Sequence, residues 1–153
     1  APAPTPTAEP TNEPTPEPTP AVQEATVGFV GDILMMTRQI ADAKTETGYD
    51  FTESFLPMKS VFESVDIMCA DFEGTFGGEE AGYTQPRETI APATEENPNP
   101  TNPPMQSFSA PDELAKNLFD AGIDAVTTAN NHAMDRDDAG IFRTINVLMA
   151  AGI

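Results

Sequence analysis

The sequence predicts an α/β fold with a parallel or mixed β-sheet, because short apolar strands alternate with amphipathic helices along it. Three segments, at residues 26–31, 65–72 and 123–128, are short and almost continuously apolar. Such strands are typical of sheets that helices cover on both faces. Ligands of these sheets bind beyond the carboxyl ends of the strands, so the residues after each strand are the first candidates for a site.

The segments between and after these strands predict the helices. Residues 32–42 are expected to form a loop that runs into a short helix, and apolar residues at helical spacing predict a helix at about 54–64. A helix start is recognised at residues 109–113, where Pro111 suits the first turn. The last helix is predicted at about 138–150, again from apolar residues spaced three or four apart.

Both ends of the chain and one internal segment depart from this pattern. Residues 1–25 are a Pro/Thr/Glu-rich stalk or linker, expected to be disordered because residues 1–20 hold no large apolar residue to offset the ordering entropy. Residues 26–153 are expected to form the N-terminal portion of a domain, whose closing Ala-Ala-Gly-Ile predicts a further strand and hence a truncation. Residues 79–105 predict a flexible excursion rich in Pro, Thr, Asn and Glu, with a hairpin near Tyr83.

Composition limits the classes of partner. The formal net charge is −18 and only seven residues are Lys or Arg, so no nucleic-acid partner is expected. An acidic surface repels polyanions, and an anionic substrate would therefore need a bound cation or a local basic group. The single cysteine, Cys69, rules out an internal disulfide and is expected to be a small buried residue of the second strand.

The sequence also predicts where the protein works. No apolar run is long enough to span a bilayer, and the chain opens directly on the Pro-rich tract without a start Met. We therefore expect an extracytoplasmic protein at the cell surface or membrane, anchored through an N-terminal signal or lipid anchor that has been removed. In this interpretation the Pro-rich tract is a stalk that crosses the cell wall, and the alternative is an arbitrary chain boundary.

Polar residues follow all three predicted strands. Asp32 follows the first, Asp71 and Glu73 end the second, and Asn131 and His132 follow the third. With the two-residue period of a strand, Asp71 and Glu73 point to the same side. Carboxylate and amide oxygens together with an imidazole suit a divalent metal ion such as Mn²⁺, Fe²⁺, Zn²⁺ or Mg²⁺. The joint placement of these residues predicts a metal or catalytic site at the carboxyl ends of the strands.

Each of these residues has a simpler explanation when it is taken alone. Asp32 follows a glycine and would suit a helix cap, while Asp71 and Glu73 would suit a solvated strand end. The Asn-Asn pair before His132 would suit a turn, and His132, the only histidine, would suit a structural or exposed position. Other catalytic signatures are absent from the sequence, including the phosphate-binding Gly-Lys-Ser/Thr loop, the Gly-x-Ser-x-Gly elbow and Cys-x-x-Cys.

Four segments carry a resemblance to a known family. They are Val-Gly-Phe-Val-Gly-Asp at 27–32, Ala-Asp-Phe-Glu at 70–73, Phe-Ser-Ala-Pro-Asp-Glu-Leu at 108–114 and Ala-Asn-Asn-His-Ala-Met-Asp at 129–135. Together they resemble the capsule-synthesis (CapA, poly-γ-glutamate) family, which is related to the calcineurin-like metallophosphoesterases, and the resemblance covers residues 26–153. It implies a layered metallophosphoesterase-like α/β sandwich and a surface-attached protein of poly-γ-glutamate biosynthesis or export.

The resemblance also implies roles for the polar residues. Asp32 matches the first metal-ligand position, Glu73 the acid of an Asn-x-Glu motif, and Asn131 the metal-ligating Asn of an Asn-His pair. His132 matches the catalytic histidine that stabilises the transition state or donates a proton. Asp71 stands where the family usually has Asn, and it stays a metal-ligand candidate because an aspartate can also bind a cation.

Two functions of different classes follow. The first is a metal-dependent hydrolase in capsule synthesis, with poly-γ-glutamate or a related anionic polymer as its partner. The second is a non-catalytic assembly or polymer-binding partner of membrane-bound capsule synthesis proteins. Leu34 favours the second, because the wider phosphoesterase pattern has a histidine at that position, two residues after the first aspartate. A sugar- or peptide-binding module that uses residues 79–105 is a third option.

Overall fold

A computed structural model of the chain describes residues 23–85 and 106–153. The predicted stalk at 1–22 and the part of the excursion at 86–105 lie outside the described residues. Within them the elements are, in chain order, β1 (Val27–Ile33), α1 (Thr37–Asp42), α2 (Thr52–Phe55), a 3₁₀ turn (Leu56–Met58), α3 (Lys59–Phe62), β2 (Ile67–Phe72), α4 (Glu113–Ala121), β3 (Ala125–Thr127) and α5 (Asp137–Ala151).

The three described strands form a parallel sheet in the order β1-β2-β3. Helices α1 to α3 connect β1 with β2, α4 lies between β2 and β3, and α5 follows β3. Parallel neighbours cannot be joined by a tight turn, so each connection crosses over the sheet and carries helical structure. The prediction of an α/β fold is confirmed.

The helix predicted at about 54–64 is divided in the structure. Helix α2 ends at Phe55, a 3₁₀ turn covers Leu56–Met58, and α3 continues to Phe62. Pro57 explains the division, because its nitrogen has no hydrogen to donate to a helical bond and its ring crowds the preceding turn.

Glycines end the two longest described helices. Gly122 follows α4 and Gly152 follows α5, and both have a φ of 99°, in the left-handed region that favours glycine. The N–H of each donates back to carbonyl oxygens in the last turn of its helix. The helix predicted at 138–150 is confirmed to within one residue at each end. None of the helices in residues 23–85 and 106–153 combines the length and the apolar character needed to cross a membrane.

The hydrophobic core lies between one face of the sheet and the helices. Alternate residues of β2, namely Met68, Ala70 and Phe72, are buried and belong to one cluster with buried side chains of α1, α3, α4 and α5. The rings of Phe72 and Phe76 stack with their centroids 4.5 Å apart. Since both rings are almost completely buried, this pair fixes the carboxyl end of β2 and the chain that follows it.

The opposite face of the sheet is uncovered within residues 23–85 and 106–153, so the predicted cover on both faces stays a prediction. Val27, Phe29 and Ile67 are exposed there, and 79% of Phe29 is accessible to solvent. Cys69 alternates with the core residues of β2 and is half-buried, not buried as predicted. The physical reason is that the described helices place their buried side chains in the cluster on the core face.

The hairpin predicted near Tyr83 is not found in the described residues. The N–H of Gly82 donates to the carbonyl oxygen of Glu79 in a turn. Thr84 then pairs with Ser109: the Thr84 N–H donates to the Ser109 carbonyl oxygen at 2.9 Å, and the Ser109 N–H donates to Thr84 Oγ1 at 3.0 Å. The chain before residue 86 therefore bonds to the chain after residue 105.

Strand β1 contains a one-residue bulge. Phe29 lies opposite Cys69 but Asp32 lies opposite Asp71, so β1 needs one residue more than β2 to cover the same distance. Side chains alternate between the two faces along a strand, so an extra residue exchanges the faces of everything that follows it. The bulge therefore turns Asp32 to the face on which Phe29 and Asp71 lie.

The same exchange places Ile33 in the core. Ile33 lies opposite Phe72, and both side chains are buried. If the same residues formed a regular strand with no bulge, Ile33 would share the exposed face with Phe29, and Asp32 would point toward the core. Gly31 lies within the bulge, and a Cβ atom added there would meet no atom within 4 Å.

Insertion of one alanine between Gly31 and Asp32 is expected to destabilise the chain by roughly 2–5 kcal/mol, because one more residue after the bulge exposes Ile33 and turns Asp32 toward the core. Urea titration of the free energy of unfolding measures this. Gly31→Ala is the matched control, since it keeps the residue count and has room for the methyl group, and it is expected to change stability by about 0.5 kcal/mol or less. Equal stability of the insertion variant and the wild type would contradict the role of the bulge.

Candidate functional site

The carboxyl ends of the strands bring several of the predicted residues together. Asp32 lies opposite Asp71, and Asp71 lies opposite Thr127, so these three residues form a row across the sheet. Glu73 directly follows β2, and its N–H donates to the carbonyl oxygen of Ile33 at 3.1 Å. The three acidic residues predicted for the site therefore lie at one end of the sheet.

Asp71 accepts hydrogen bonds from two side chains of the neighbouring segment. Its Oδ1 accepts from Thr127 Oγ1 at 2.6 Å and from Asn130 Nδ2 at 3.2 Å. The same Asn130 amide also donates to the carbonyl oxygen of Phe72 at 2.9 Å. Asp71 thus binds the end of β3 and the loop behind it to the end of β2.

Asn130 also shapes the turn that carries His132. Its Oδ1 accepts the backbone N–H of His132 at 3.1 Å, the local bond that makes asparagine a frequent turn former. The His132 side chain is only 11% exposed, and its Nε2 lies 4.0 Å from Glu73 Oε1. The single histidine therefore faces the acidic end of the sheet instead of solvent.

Burial raises the pKa of the Glu73 carboxyl, and the nearby charge of Asp32 raises it further, while His132 partly offsets both effects. The Glu73 side chain is 17% exposed, so water screens these charges incompletely. The ionised form of Glu73 is thus disfavoured, because it lies close to the negative charge of Asp32 and is largely shielded from solvent.

Asn131 is the predicted site residue that the structure does not bring to the others. It is exposed, and within residues 23–85 and 106–153 no hydrogen bond holds its side chain. Its neighbour Asn130 makes the contacts with Asp71 and with the His132 backbone. The metal-ligand role of Asn131 stays a prediction.

The carboxylates at the end of the sheet and the His132 imidazole are ligands that suit a hard or intermediate divalent cation. In the part of the chain that the structure describes, no three side chains of the His, Cys, Asp or Glu type are arranged to hold a metal ion. The carboxylates of Asp32 and Glu73 do lie close enough for one charge to raise the pKa of the other group. A cation relieves such repulsion, and carboxylate oxygens with an imidazole nitrogen are ligands of Mn²⁺, Fe²⁺ and Zn²⁺.

A family profile shows which proteins share this sequence pattern. The profile described as "Bacterial capsule synthesis protein PGA_cap" matches residues 26–153. The chain belongs to this family. The resemblance carried by the four sequence segments is therefore confirmed, and membership of the PGA_cap family implies a role in capsule synthesis. A search of curated proteins finds no match to the chain.

Three residues of this capsule synthesis chain were missed by the sequence analysis as parts of the site. Thr127 and Asn130 donate hydrogen bonds to Asp71, and Asp135 Oδ2 lies 2.8 Å from His132 Nδ1, within hydrogen-bond distance. The spacing of Asn130 two residues before His132, and of Asp135 three residues after it, was visible in the sequence. Both spacings allow local side-chain bonds in a turn, which is the signal that could have found them.

Arg136 ties the site loop to the two sides of the excursion. Its Nη2 donates to the carbonyl oxygen of Gly82 at 2.9 Å, and its Nη1 donates to Ser107 Oγ and to the carbonyl oxygen of Asp135. We call residues 82–85 and 106–109 the neck of the excursion. The neck is therefore fixed directly beside the loop that carries His132.

Glu73→Gln is expected to stabilise the metal-free PGA_cap chain at neutral pH. Because the pKa of Glu73 is raised in the folded state, ionisation disfavours folding, and this loss of stability develops as the pH rises through the raised pKa. At about pH 3, well below the ordinary pKa of a glutamate, Glu73 is protonated in both the folded and the unfolded chain, and the gain should vanish.

Urea midpoints at the two pH values, in the presence of a chelator, measure the effect of Glu73→Gln. Glu79→Gln is the control, since Glu79 is an exposed carboxylate outside the site. A gain that is equal at both pH values, or a gain as large in the control, would contradict the interpretation.

Asn130→Ala and Asn131→Ala form a matched pair. Asn130→Ala removes bonds to Asp71, to the Phe72 carbonyl oxygen and to the His132 N–H, and it is expected to lower the free energy of unfolding by about 1–3 kcal/mol. Asn131→Ala changes an exposed side chain and is expected to stay within about 0.5 kcal/mol of the wild type. Urea unfolding measures both, and the reverse order would refute the assignment of the loop contacts to Asn130.

Proposed function

We propose that the chain is a metal-dependent, hydrolase-like domain of capsule synthesis that acts outside the cytoplasm. The observation that carries this proposal is the crowding of Asp32 and Glu73 beside the buried His132 at the carboxyl end of a parallel sheet. In α/β proteins this end of the sheet is where ligands bind. Two close carboxylates next to an imidazole are stable at neutral pH when a cation or a proton is shared between them.

In this proposal Asp32 and Glu73 hold a divalent ion, and Asp71 and Asn131 complete the set of candidate ligands. A bound ion of this kind polarises a phosphoryl or amide oxygen and lowers the pKa of water. Asp71 contributes through its second carboxylate oxygen, since Oδ1 already accepts bonds from Thr127 and Asn130. His132 transfers a proton to or from the reacting group through Nε2, the ring atom that faces Glu73.

The charge of the chain supports a bound cation if the partner is poly-γ-glutamate or a related anionic polymer. The net charge of −18 repels such a polymer. Arg143 pairs in two bonds of 2.6 Å with Asp112, and Arg136 donates to carbonyl oxygens of its own chain. These arginines are engaged within the protein, so a cation at the site is the simplest way to attract an anionic group.

The uncovered sheet face supports a larger architecture. Exposed Val27, Phe29 and Ile67 form an apolar surface on a sheet whose other face is already packed. We place this surface inside a layered metallophosphoesterase-like sandwich, because an apolar sheet face is stabilised when a second layer covers it. The membrane-bound capsule synthesis proteins are the partners we propose for the assembled protein, which would be held at the cell surface by an N-terminal signal or lipid anchor.

A non-catalytic assembly or polymer-binding role is the second candidate. Two observations favour it: Leu34 stands where the wider phosphoesterase pattern has a histidine, and no three-residue metal arrangement is preformed in residues 23–85 and 106–153. In that case the acidic end of the sheet would bind its partner without cleaving a bond.

Titration of the chain with Mn²⁺, followed by electron paramagnetic resonance of the free ion, distinguishes the two candidates. The wild type is expected to bind Mn²⁺, and Asp32→Asn is expected to weaken binding by about tenfold or more, because it removes a charged ligand. Asp42→Asn is the control, since Asp42 is an exposed aspartate in α1. Equal Mn²⁺ affinity in all three chains would refute the assigned site, and retention of poly-γ-glutamate without Mn²⁺ binding would favour the non-catalytic role.

A further inference from the structure

Asp135 lies against the ring of His132 on the side away from Glu73. Its Oδ2 is 2.8 Å from His132 Nδ1, and the Asp135 side chain is only 13% exposed. The same Oδ2 accepts the backbone N–H of Phe108 at 2.5 Å. One carboxylate oxygen is thus shared by a ring nitrogen and a backbone amide in a partly buried place.

This geometry selects one tautomer of His132. The Phe108 amide can only donate, so Oδ2 of Asp135 acts as an acceptor at this point. An ionised carboxylate accepts from the ring as well, which places the ring hydrogen on Nδ1. In the neutral ring, Nε2 then carries a lone pair, and it is this atom that lies 4.0 Å from Glu73 Oε1.

Phe108 and Asn130 restrict the remaining freedom of His132. The Phe108 ring meets the imidazole edge-on, with centroids 4.5 Å apart and planes at 88°. The backbone N–H of His132 is held by Asn130 Oδ1. Asn130 therefore fixes the backbone of His132, and Phe108 fixes the plane of its ring. Asp135 contacts Nδ1, so it determines which ring nitrogen faces the acidic residues.

We propose that Asp135 is a positioning residue that holds His132 with Nδ1–H toward its own carboxylate and the Nε2 lone pair toward Glu73 and Asp32. This inference rests on the proposed function, because the chemical role of His132 is part of that function. A neutral His132 held in this way accepts a proton or a cation through Nε2. A ring in this tautomer can donate from Nε2 only after Nε2 has taken up a proton.

Nitrogen-15 NMR of histidine-labelled chain tests this directly, because the chain has one histidine and its signals are unambiguous. The measurement uses metal-free protein with a chelator at about pH 9, where imidazoles are ordinarily neutral. The wild type is expected to show the Nδ1–H tautomer. Asp135→Ala is expected to change the ratio of the two tautomers by about tenfold or more toward Nε2–H, which corresponds to the loss of one charge-assisted hydrogen bond.

Two further variants make the result specific. Asp135→Asn keeps an acceptor oxygen without the charge and is expected to lie between the wild type and Asp135→Ala. Asp138→Ala removes an exposed aspartate near the start of α5 and is expected to leave the tautomer ratio unchanged. A wild-type ring with its hydrogen on Nε2 would overturn the proposal, whether or not Asp135→Ala folds.

The tautomer measurement is independent of the metal proposal. An Nδ1–H ring in a chain that does not bind Mn²⁺ would support the positioning role and count against the metal-dependent hydrolase. Mn²⁺ binding that depends on Asp32, in a chain with an Nε2–H ring, would do the reverse.

Discussion

A parallel sheet presents its side chains alternately to two faces, and the extra residue in β1 exchanges those faces just before the strand ends. Val27 and Phe29 lie on the uncovered side, and without the bulge Ile33 would join them. With it, Ile33 enters the core opposite Phe72, and Asp32 comes level with Asp71. The core and the acidic end of the sheet therefore depend on the same local irregularity. Bulges beside functional sites commonly serve to redirect a side chain in this way.

The loop after β3 is held mainly by acceptors that belong to the site itself. Asp71 accepts from Thr127 and Asn130, Asn130 accepts from the His132 backbone, and Asp135 lies within hydrogen-bond distance of the His132 ring. Asp71, one of the candidate ligands, is thus linked through Asn130 to the backbone of His132. A change of charge at the end of β2 is consequently felt in the loop after β3, through hydrogen bonds that connect neighbouring strands.

Periodic and local patterns in the sequence predicted part of the fold correctly. The strand and helix alternation, α5 and the glycine that ends it, and the gathering of Asp32, Asp71 and Glu73 were all predictable from spacing. The bulge was not, because one additional residue in an apolar run leaves its composition unchanged. The division of the helix at Pro57 was missed because the helical spacing of the apolar residues continues on both sides of the proline. Cover on the second sheet face stays a prediction, because apolar content shows that a surface can be buried but does not show which part of a protein buries it.

The neck of the excursion has a consequence for how this domain tolerates changes in length. Gln106 Nε2 donates to the carbonyl oxygen of Gln85 at 3.1 Å. Arg136 donates hydrogen bonds to Gly82 and to Ser107, one on each side of the neck. Two chain positions that already touch can be bridged by many residues or by few, because the entropy of closing a loop grows only slowly with its length. Insertions and deletions between Gln85 and Gln106 are therefore expected to change the stability and geometry of the sheet and its acidic end very little. Changes of length in that span are expected to leave the positions of the acidic residues and His132 unchanged.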